Sequence, residues 1–165
     1  MKDTMLNKLV IIGVGLIGGS FALSLRKAGL VKNITGLGRS KENLQQALEL
    51  GIIDEISDNY SQALEKADLV LLAVPVGQTA EILKKINPYL EPQTIISDVG
   101  STKQDVIAAA RSSIPEHFKN FVPAHPIAGA ELSGSSAANA NLFKDKNLIL
   151  TPSDETNINS IESIQ

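Results

Sequence analysis

The chain has 165 residues, of which 43% are hydrophobic and 4% aromatic, with a formal net charge of −3. This length fits one domain with an aliphatic core, and nothing in the charge pattern indicates a nucleic-acid-binding surface. Cysteine is absent, which excludes disulfides, thiolate metal sites and cysteine nucleophiles. With only two histidines, no metal site is expected. Residues 1–7 lack a signal-peptide core and no apolar run reaches the roughly 18–20 residues of a membrane helix, so the sequence predicts a cytoplasmic protein.

Strand and helix signals alternate along the chain. In order, they predict a strand at 9–12, a helix at 16–28, a strand at 33–37, a helix at 41–50, a short apolar segment at 52–56, a short helix at 61–67, a strand at 68–75, a helix at 77–86, a strand at 94–99, a helix at 103–113, and late strands at 121–124 and 147–150. The 68–75 segment is apolar throughout, as in a strand buried on both faces. The alternation predicts βαβ units and therefore a Rossmann-type, doubly wound α/β fold with a mostly parallel sheet.

The end of the chain carries a further helical pattern. Residues 154–165 place Ile158, Ile161 and Ile164 on one side, and the sequence stops inside this pattern. A helix of this length is marginal on its own. We therefore expect residues 6–152 to form the α/β domain, and residues 153–165 to begin a helix of a longer chain.

The first predicted strand leads directly into the glycine pattern Gly13-x-Gly15-x-x-Gly18, and a helix follows. In a dinucleotide site the first glycine allows a tight turn, the second lets a pyrophosphate approach the backbone, and the third lets the helix pack closely on the strand. The helix start, with Leu16 and Ile17, would aim free N–H groups at the phosphates. Without a ligand, the same pattern is only a glycine-rich turn.

The end of the second predicted strand indicates which cofactor is bound. NAD-binding domains usually place an acidic residue about 20 residues past the glycine turn, to hold the ribose hydroxyls. Residues 36–40 contain no acid and include Arg39 instead. Arg39, with Ser40 and Lys41, could bind a 2′-phosphate. The sequence therefore favours NADP, with NAD possible, unless Arg39 is simply solvated.

Later strand ends add further candidates at the same expected edge of the sheet. Ala73, Val74 and Pro75 end one strand, and Val99 and Gly100 follow the next, so we assign all five to cofactor binding. Two polar loops follow at 97–103 and 124–131. His125 lies in the second of these loops, after an apolar strand, before a proline and among small residues. From spacing alone, it is equally a proton acceptor or a structural histidine.

Four motifs occur in one order: Gly13-Val-Gly-Leu-Ile-Gly-Gly-Ser, Ala73-Val-Pro-Val, Asp98-Val-Gly-Ser-Thr-Lys and His125-Pro-Ile-Ala-Gly-x-Glu131. This arrangement resembles the N-terminal domain of prephenate dehydrogenase and its relative arogenate dehydrogenase. The resemblance covers nearly the whole chain, and the second pair of motifs is the more specific part. It implies oxidative decarboxylation of prephenate or arogenate, in which a hydride passes from ring carbon C4 to the nicotinamide.

The resemblance also implies roles for individual residues. His125 would take the proton of the C4 hydroxyl, which suits an imidazole near neutral pH. Ser101 would hydrogen-bond near this histidine and the substrate hydroxyl, and Glu131 would lie at the entrance of the active site. Lys103 ends the Asp98-Val-Gly-Ser-Thr-Lys motif, and the alternative is that it simply begins a helix.

Family members normally continue into a helical domain that forms a homodimer and supplies an arginine for the substrate carboxylate. The resemblance therefore implies that residues 6–152 form the NAD(P)-binding domain and that residues 153–165 begin a helix leading into this helical domain. It also implies that residues 1–165 alone bind cofactor but turn over little substrate. Two alternatives remain open at this point. One is another two-domain dehydrogenase acting on hydroxy acids or imines, and the other is a non-catalytic NADP-binding module.

Overall fold

A computed structural model describes residues 5–165. The strands are β1 (Leu6–Ile12), β2 (Val31–Leu37), β3 (Glu55–Ile56), β4 (Leu69–Leu72), β5 (Ile95–Asp98), β6 (Phe121–Val122), β7 (Ala124–Pro126) and β8 (Leu148–Leu150). The α-helices are α1 (Leu16–Lys27), α2 (Lys41–Glu49), α3 (Tyr60–Leu64), α4 (Thr79–Ile86), α5 (Lys103–Ser113) and α6 (Ile158–Ile164). Short 3-10 helices occupy Val76–Gln78, Asn87–Tyr89, Phe118–Asn120 and Ser135–Ala137.

Six strands form one sheet in the order β3-β2-β1-β4-β5-β6, and every pairing in it is parallel. This strand order is that of the doubly wound dinucleotide-binding fold. The predicted Rossmann-type α/β fold is therefore confirmed.

The core lies in two layers, one on each face of the sheet. Along β1, Leu9 and Ile11 pack toward α1 and α2, whereas Val10 and Ile12 pack toward α3, α4 and α5. All four residues of β4 are buried, as expected for a central strand covered on both faces. The aliphatic residues of β1 and β4 thus place these two strands in the middle of the sheet.

The register brings three strand ends side by side. Ile12 pairs with Leu72, and Leu72 pairs with Asp98. The turns that follow β1, β4 and β5 therefore begin next to one another, at the carboxyl edge of the sheet. Ligands bind at this edge in doubly wound folds, because the strand order reverses between β1 and β4.

Some elements differ from the sequence-based expectation. The strand predicted at 68–75 ends at Leu72, and the helix predicted at 61–67 ends at Leu64, just before Lys66 takes a positive φ of 57°. The strand predicted at 121–124 is divided at Pro123, whose nitrogen carries no hydrogen for a ladder. Its first part joins the main sheet, while β7 pairs with β8 in a separate antiparallel ribbon.

The last helix, α6, starts later than residue 154. Asn157 caps it by accepting a hydrogen bond from the Asn159 N–H at 3.0 Å. Ile164 packs on the apolar layer beneath α1, but Ile158 is 62% exposed, so the expected apolar side is only partly buried. The division at residue 152 and the further domain stay predictions. None of the helices within residues 5–165 has the length and apolarity needed to cross a bilayer.

Candidate functional site

The glycine turn packs directly against the end of β4. Gly13 has a φ of +100°, and a Cβ placed there would lie 2.3 Å from the carbonyl oxygen of Ala73. A Cβ on Gly18 would lie 2.3 Å from the carbonyl oxygen of Gly13. Both positions therefore exclude any side chain. Gly15 differs, because a Cβ there would meet no other part of the described chain within 4 Å. This leaves room for a ligand to approach its backbone.

Helix α1 begins at this turn with its N-terminus open. Gly15 is the N-cap residue and provides no side-chain hydrogen bond, and the first turn contains no acidic residue. Leu16, Ile17 and Gly18 form that first turn. A helix start of this kind offers uncapped N–H groups and a positive dipole end, which is the chemistry that holds a pyrophosphate.

A cleft of about 540 Å³ lies along the carboxyl edge of the sheet. Of the predicted cofactor residues, seven line it: Gly13, Gly15, Arg39, Ser40, Ala73, Val74 and Pro75. The other six are not among its lining residues: Leu16, Ile17, Gly18, Lys41, Val99 and Gly100. Arg39 is exposed and forms no ion pair with any of residues 5–165. The Ser40 hydroxyl already caps α2 by accepting the N–H of Asn43 at 3.1 Å.

The cleft also contains residues that sequence reasoning missed. Asp58 and Tyr60, which follow β3, line it, as do Glu81 and Lys85 of α4. Lys85 Nζ lies 2.6 Å from Glu81 Oε1, and this hydrogen bond lowers the pKa of Glu81 and raises that of Lys85. The available signal was the strand order, which places the end of β3 beside the end of β2. A two-residue strand was too short to be recognised as part of the sheet.

Asn43 joins the glycine turn to the loop that follows β7. Its Nδ2 donates to the carbonyl oxygen of Val14 at 2.7 Å, and its Oδ1 accepts the N–H of Ser135 at 2.8 Å. The Ser135 hydroxyl donates to the carbonyl oxygen of Asn43 at 3.1 Å, and Ser135 is fully buried. The small-residue loop at 129–141 is thus bonded, through Asn43 of α2, to the glycine turn.

A buried ion pair lies at the end of β5. Lys103 Nζ contacts Asp98 Oδ2, and the two side chains are 13% and 3% exposed. The same carboxylate accepts the N–H of Gly100 at 2.8 Å and, through Oδ1, the N–H of Ala124 at 3.2 Å. Lys103 Nζ also donates to the carbonyl oxygen of Ala124 at 2.7 Å. Burial lowers the pKa of Lys103, and the neighbouring Asp98 opposes that shift.

The three predicted catalytic residues lie on two adjacent segments. His125 is half-buried in β7, with its Nδ1 at 3.4 Å from the carbonyl oxygen of Val99. Ser101 follows Val99 in the turn after β5 and is exposed. No hydrogen bond joins Ser101 to His125 in the described part of the chain. Glu131 is exposed on the loop after β7.

The fold, the glycine turn and the open helix start define a Rossmann-type nucleotide-binding domain. A family model described as "Prephenate dehydrogenase, nucleotide-binding domain" matches residues 21–165. The chain therefore belongs to the prephenate dehydrogenase family and corresponds to its nucleotide-binding domain, as the sequence resemblance predicted. The glycine turn precedes the residues that this model matches.

Individual relatives extend the match through the glycine turn. The chain is 39% identical to prephenate dehydrogenase of Bacillus subtilis over 166 residues, covering 100% of this chain and 43% of the relative. It is also 39% identical to prephenate dehydrogenase of Lactococcus lactis over 148 residues, covering 88% of this chain and 41% of the relative. The chain thus spans less than half the length of these two curated relatives.

Solved structures show the same similarity. Prephenate dehydrogenase of Aquifex aeolicus, in complex with hydroxyphenyl propionate and NAD+, superposes with a TM-score of 0.88 at 35% identity, covering 96% of this chain and 55% of that one. Arogenate dehydrogenase of Synechocystis superposes with a TM-score of 0.86 at 30% identity, covering 95% of this chain and 54% of that one.

Proposed function

We propose that this chain binds NAD(P)+ and provides the cofactor side of a prephenate dehydrogenase, an enzyme of tyrosine biosynthesis. The observation that carries the proposal is the open approach to the Gly15 backbone, beside a helix start without a cap or an acidic residue. The related A. aeolicus structure, which contains NAD+, supports the same assignment. The bound nicotinamide would supply the hydride acceptor for the reaction.

His125 is the proton acceptor in this proposal. The Nδ1 atom of His125 lies 3.4 Å from the carbonyl oxygen of Val99. Because a carbonyl oxygen only accepts hydrogen bonds, this contact favours the His125 tautomer that carries the proton on Nδ1. Nε2 then has a free lone pair. As the C4–H bond of prephenate gives up its hydride, Nε2 takes the proton of the C4 hydroxyl and a ketone forms at C4. Loss of the ring carboxylate as carbon dioxide places its bonding electrons in the ring, and the proton returns to the same oxygen to give the phenol.

Ser101 and Glu131 have supporting roles in the proposal. Ser101 lies two residues past the carbonyl that contacts His125, so its hydroxyl is available to the reacting oxygen of a bound substrate. Glu131 is exposed on the loop after β7, consistent with a place at the entrance. The arginine for the substrate carboxylate and the homodimer surface would come from a further domain. The expected cytoplasmic location stays a prediction.

For the cofactor, we propose NADP+, with NAD+ as the alternative. Arg39 is exposed beside the cleft and free of ion pairs within residues 5–165, which suits a 2′-phosphate. Asp58 lines the same cleft and could accept hydrogen bonds from ribose hydroxyls, which specifically favours NAD+. These two side chains therefore oppose each other in cofactor choice.

Parallel titrations with NADP+ and NAD+ test the cofactor assignment. Arg39→Ala should weaken the binding of NADP+ about ten- to hundredfold, as expected for a lost charge-assisted hydrogen bond. The affinity for NAD+ should stay unchanged. Lys119→Ala is the control, because it removes an exposed cation in the 3-10 helix Phe118–Asn120, which is not among the cleft residues. Tight NAD+ binding with negligible NADP+ binding, unaltered by Arg39→Ala, would contradict the NADP+ assignment.

Gly15→Ala tests the nucleotide site itself. Apart from its chain neighbours, the added methyl meets no atom of residues 5–165 within 4 Å, so stability should hold while the affinity for both cofactors falls. Unchanged affinity would remove Gly15 from the site.

His125→Asn tests the catalytic part where turnover is measurable. The variant should keep its affinity for the cofactor and lose most of its activity, because the carboxamide of asparagine does not act as a base near neutral pH. Unchanged turnover would remove His125 from the mechanism.

Arogenate as substrate remains the alternative, since an arogenate dehydrogenase is also a structural neighbour. A non-catalytic module would bind cofactor without any turnover.

A further inference from the structure

The Asp98–Lys103 pair binds the backbone of β7 along the edge that faces away from β8. Strand β7 bonds to β8 along one edge, where Ile127 N–H donates to Asn147 O at 2.8 Å and Thr151 N–H donates to Pro123 O at 3.0 Å. Peptide groups alternate between the two edges of a strand, so Ala124 directs its N–H and its carbonyl oxygen toward the other edge. At that edge its partners are Asp98 Oδ1 and Lys103 Nζ.

Two side chains thus take the place of a neighbouring strand. Buried peptide groups require hydrogen-bond partners, and here a carboxylate accepts from the peptide N–H while an ammonium donates to the peptide oxygen. The next residue along β7 is His125, and its ring contacts Val99, which lies directly between Asp98 and Gly100. The ion pair and the imidazole contact therefore fix the same short piece of β7 to the same turn.

We propose that Asp98 and Lys103 are positioning residues, which hold the backbone of Ala124 and thereby keep the His125 ring against the Val99 carbonyl. Through this contact they select the tautomer of His125 that leaves Nε2 free. The meaning of this role for catalysis rests on the proposed function, but the placement of the ring does not.

Burial explains why the pair is suited to this task. At 3% and 13% exposure the side chains are shielded from water, so their mutual attraction and their hydrogen bonds are stronger than at a surface. Gly100 adds to the constraint, since its N–H donates to Asp98 Oδ2 at 2.8 Å. The carboxylate is thus confined by the turn, by Lys103 and by β7.

The tautomer of His125 is the readout that distinguishes positioning from a merely structural role. The chain has only two histidines, so long-range ¹H–¹⁵N spectra of the imidazoles resolve His125 from His117. At about pH 8, where histidine imidazoles are neutral, native His125 should be mainly protonated on Nδ1. An imidazole without such a contact prefers the form protonated on Nε2.

The principal variant is the double substitution Asp98→Asn with Lys103→Met, which removes both charges and leaves no unpaired buried ion. We expect the signal of His125 to shift toward the Nε2-protonated form while that of His117 stays unchanged. The single substitution Lys103→Arg should keep the Nδ1-protonated form of His125. A guanidinium still donates to Asp98 Oδ2 and to the carbonyl oxygen of Ala124. The control is Lys84→Met, which changes an exposed lysine on α4 and should alter neither histidine.

Three outcomes would overturn the proposal: native His125 protonated on Nε2, an unchanged tautomer in the double variant, or equal changes at both histidines. Where turnover is measurable, the double variant should lose roughly tenfold to a hundredfold in kcat, as expected for a displaced catalytic group, with cofactor Kd changed less than about twofold. A failed proposed function would instead appear as absent cofactor binding in the native chain, with the tautomer effect intact.

Discussion

The turn after β1 and the turn after β5 lie at the same edge of the sheet and are built in opposite ways. The first depends on missing side chains, with Gly13 and Gly18 leaving no space for a Cβ. The second depends on two charged side chains that are largely hidden from water. The turn after β1 therefore leaves no room for added atoms at Gly13 and Gly18, whereas we expect the turn after β5 to lose stability when one charged partner is removed.

Adding one methyl at Gly13 should have the largest effect. Gly13→Ala combines a φ of +100° with a contact of 2.3 Å to a backbone oxygen. Overpacking and backbone strain together should lower the free energy of unfolding by about 4 kcal/mol. Gly29→Ala is the matched control, since Gly29 also has a positive φ, of +70°, but open space around it. It should cost only about 1 kcal/mol. Equal losses in urea unfolding would show that close packing on Ala73 is unimportant.

Removing one partner at the β5 turn should have the next largest effect. Lys103→Met leaves the Asp98 carboxylate buried without its cation, so the free energy of unfolding should fall by about 3 kcal/mol. The double substitution with Asp98→Asn should be more stable than this single variant. If the single variant is the more stable of the two by calorimetry, the pair contributes little as a pair.

The link between the two sides should be weaker. Asn43→Ala removes the hydrogen bonds to Val14 and Ser135, for a loss of about 1–2 kcal/mol. Amide exchange should rise in residues 129–141 before it rises in the sheet. Gln45→Ala is the control, because among residues 5–165 the exposed Gln45 side chain bonds only to Glu49 on its own helix. Equal exchange in both variants would show that Asn43 does not hold the loop.

The smallest effect is expected at the exposed pair Glu81–Lys85. The lowered pKa of Glu81 means that the pair stabilises the fold above about pH 4.5 and that this contribution is lost as the pH falls through the folded value. The raised pKa of Lys85 means that the contribution is lost again as the pH rises above about 10.5. The Tm difference between the native chain and Lys85→Met should thus be largest, though still small, between about pH 4.5 and 10.5, and should shrink on either side of this range. A difference that is independent of pH would exclude the ion pair as its cause.

The sequence was sufficient for the fold, because the aliphatic strands β1, β4 and β5 and the glycine pattern follow local rules. The positions of Gly13 and Gly18 in the turn could also be predicted, because a glycine pattern between a strand and a helix is a local signal. The close contact of Gly13 with Ala73 could not, because these residues are distant along the chain. Asp58 could not be assigned, since its place in the cleft depends on a two-residue strand. Nor could the bonds of Asn43 and Lys103, because their partners Ser135 and Ala124 are fixed only by tertiary structure.

The loop at 129–141 has a consequence for the order in which the protein assembles. Ser135 bonds to a residue 92 positions earlier, and Asn139 to Ser20, which is 119 positions earlier. Contacts so distant along the chain carry a large closure entropy, so they should form late in folding. During synthesis, α1 and α2 leave the ribosome long before this loop does. The elements around Ser20 and Asn43 can therefore fold first, and the loop at 129–141 then docks onto them.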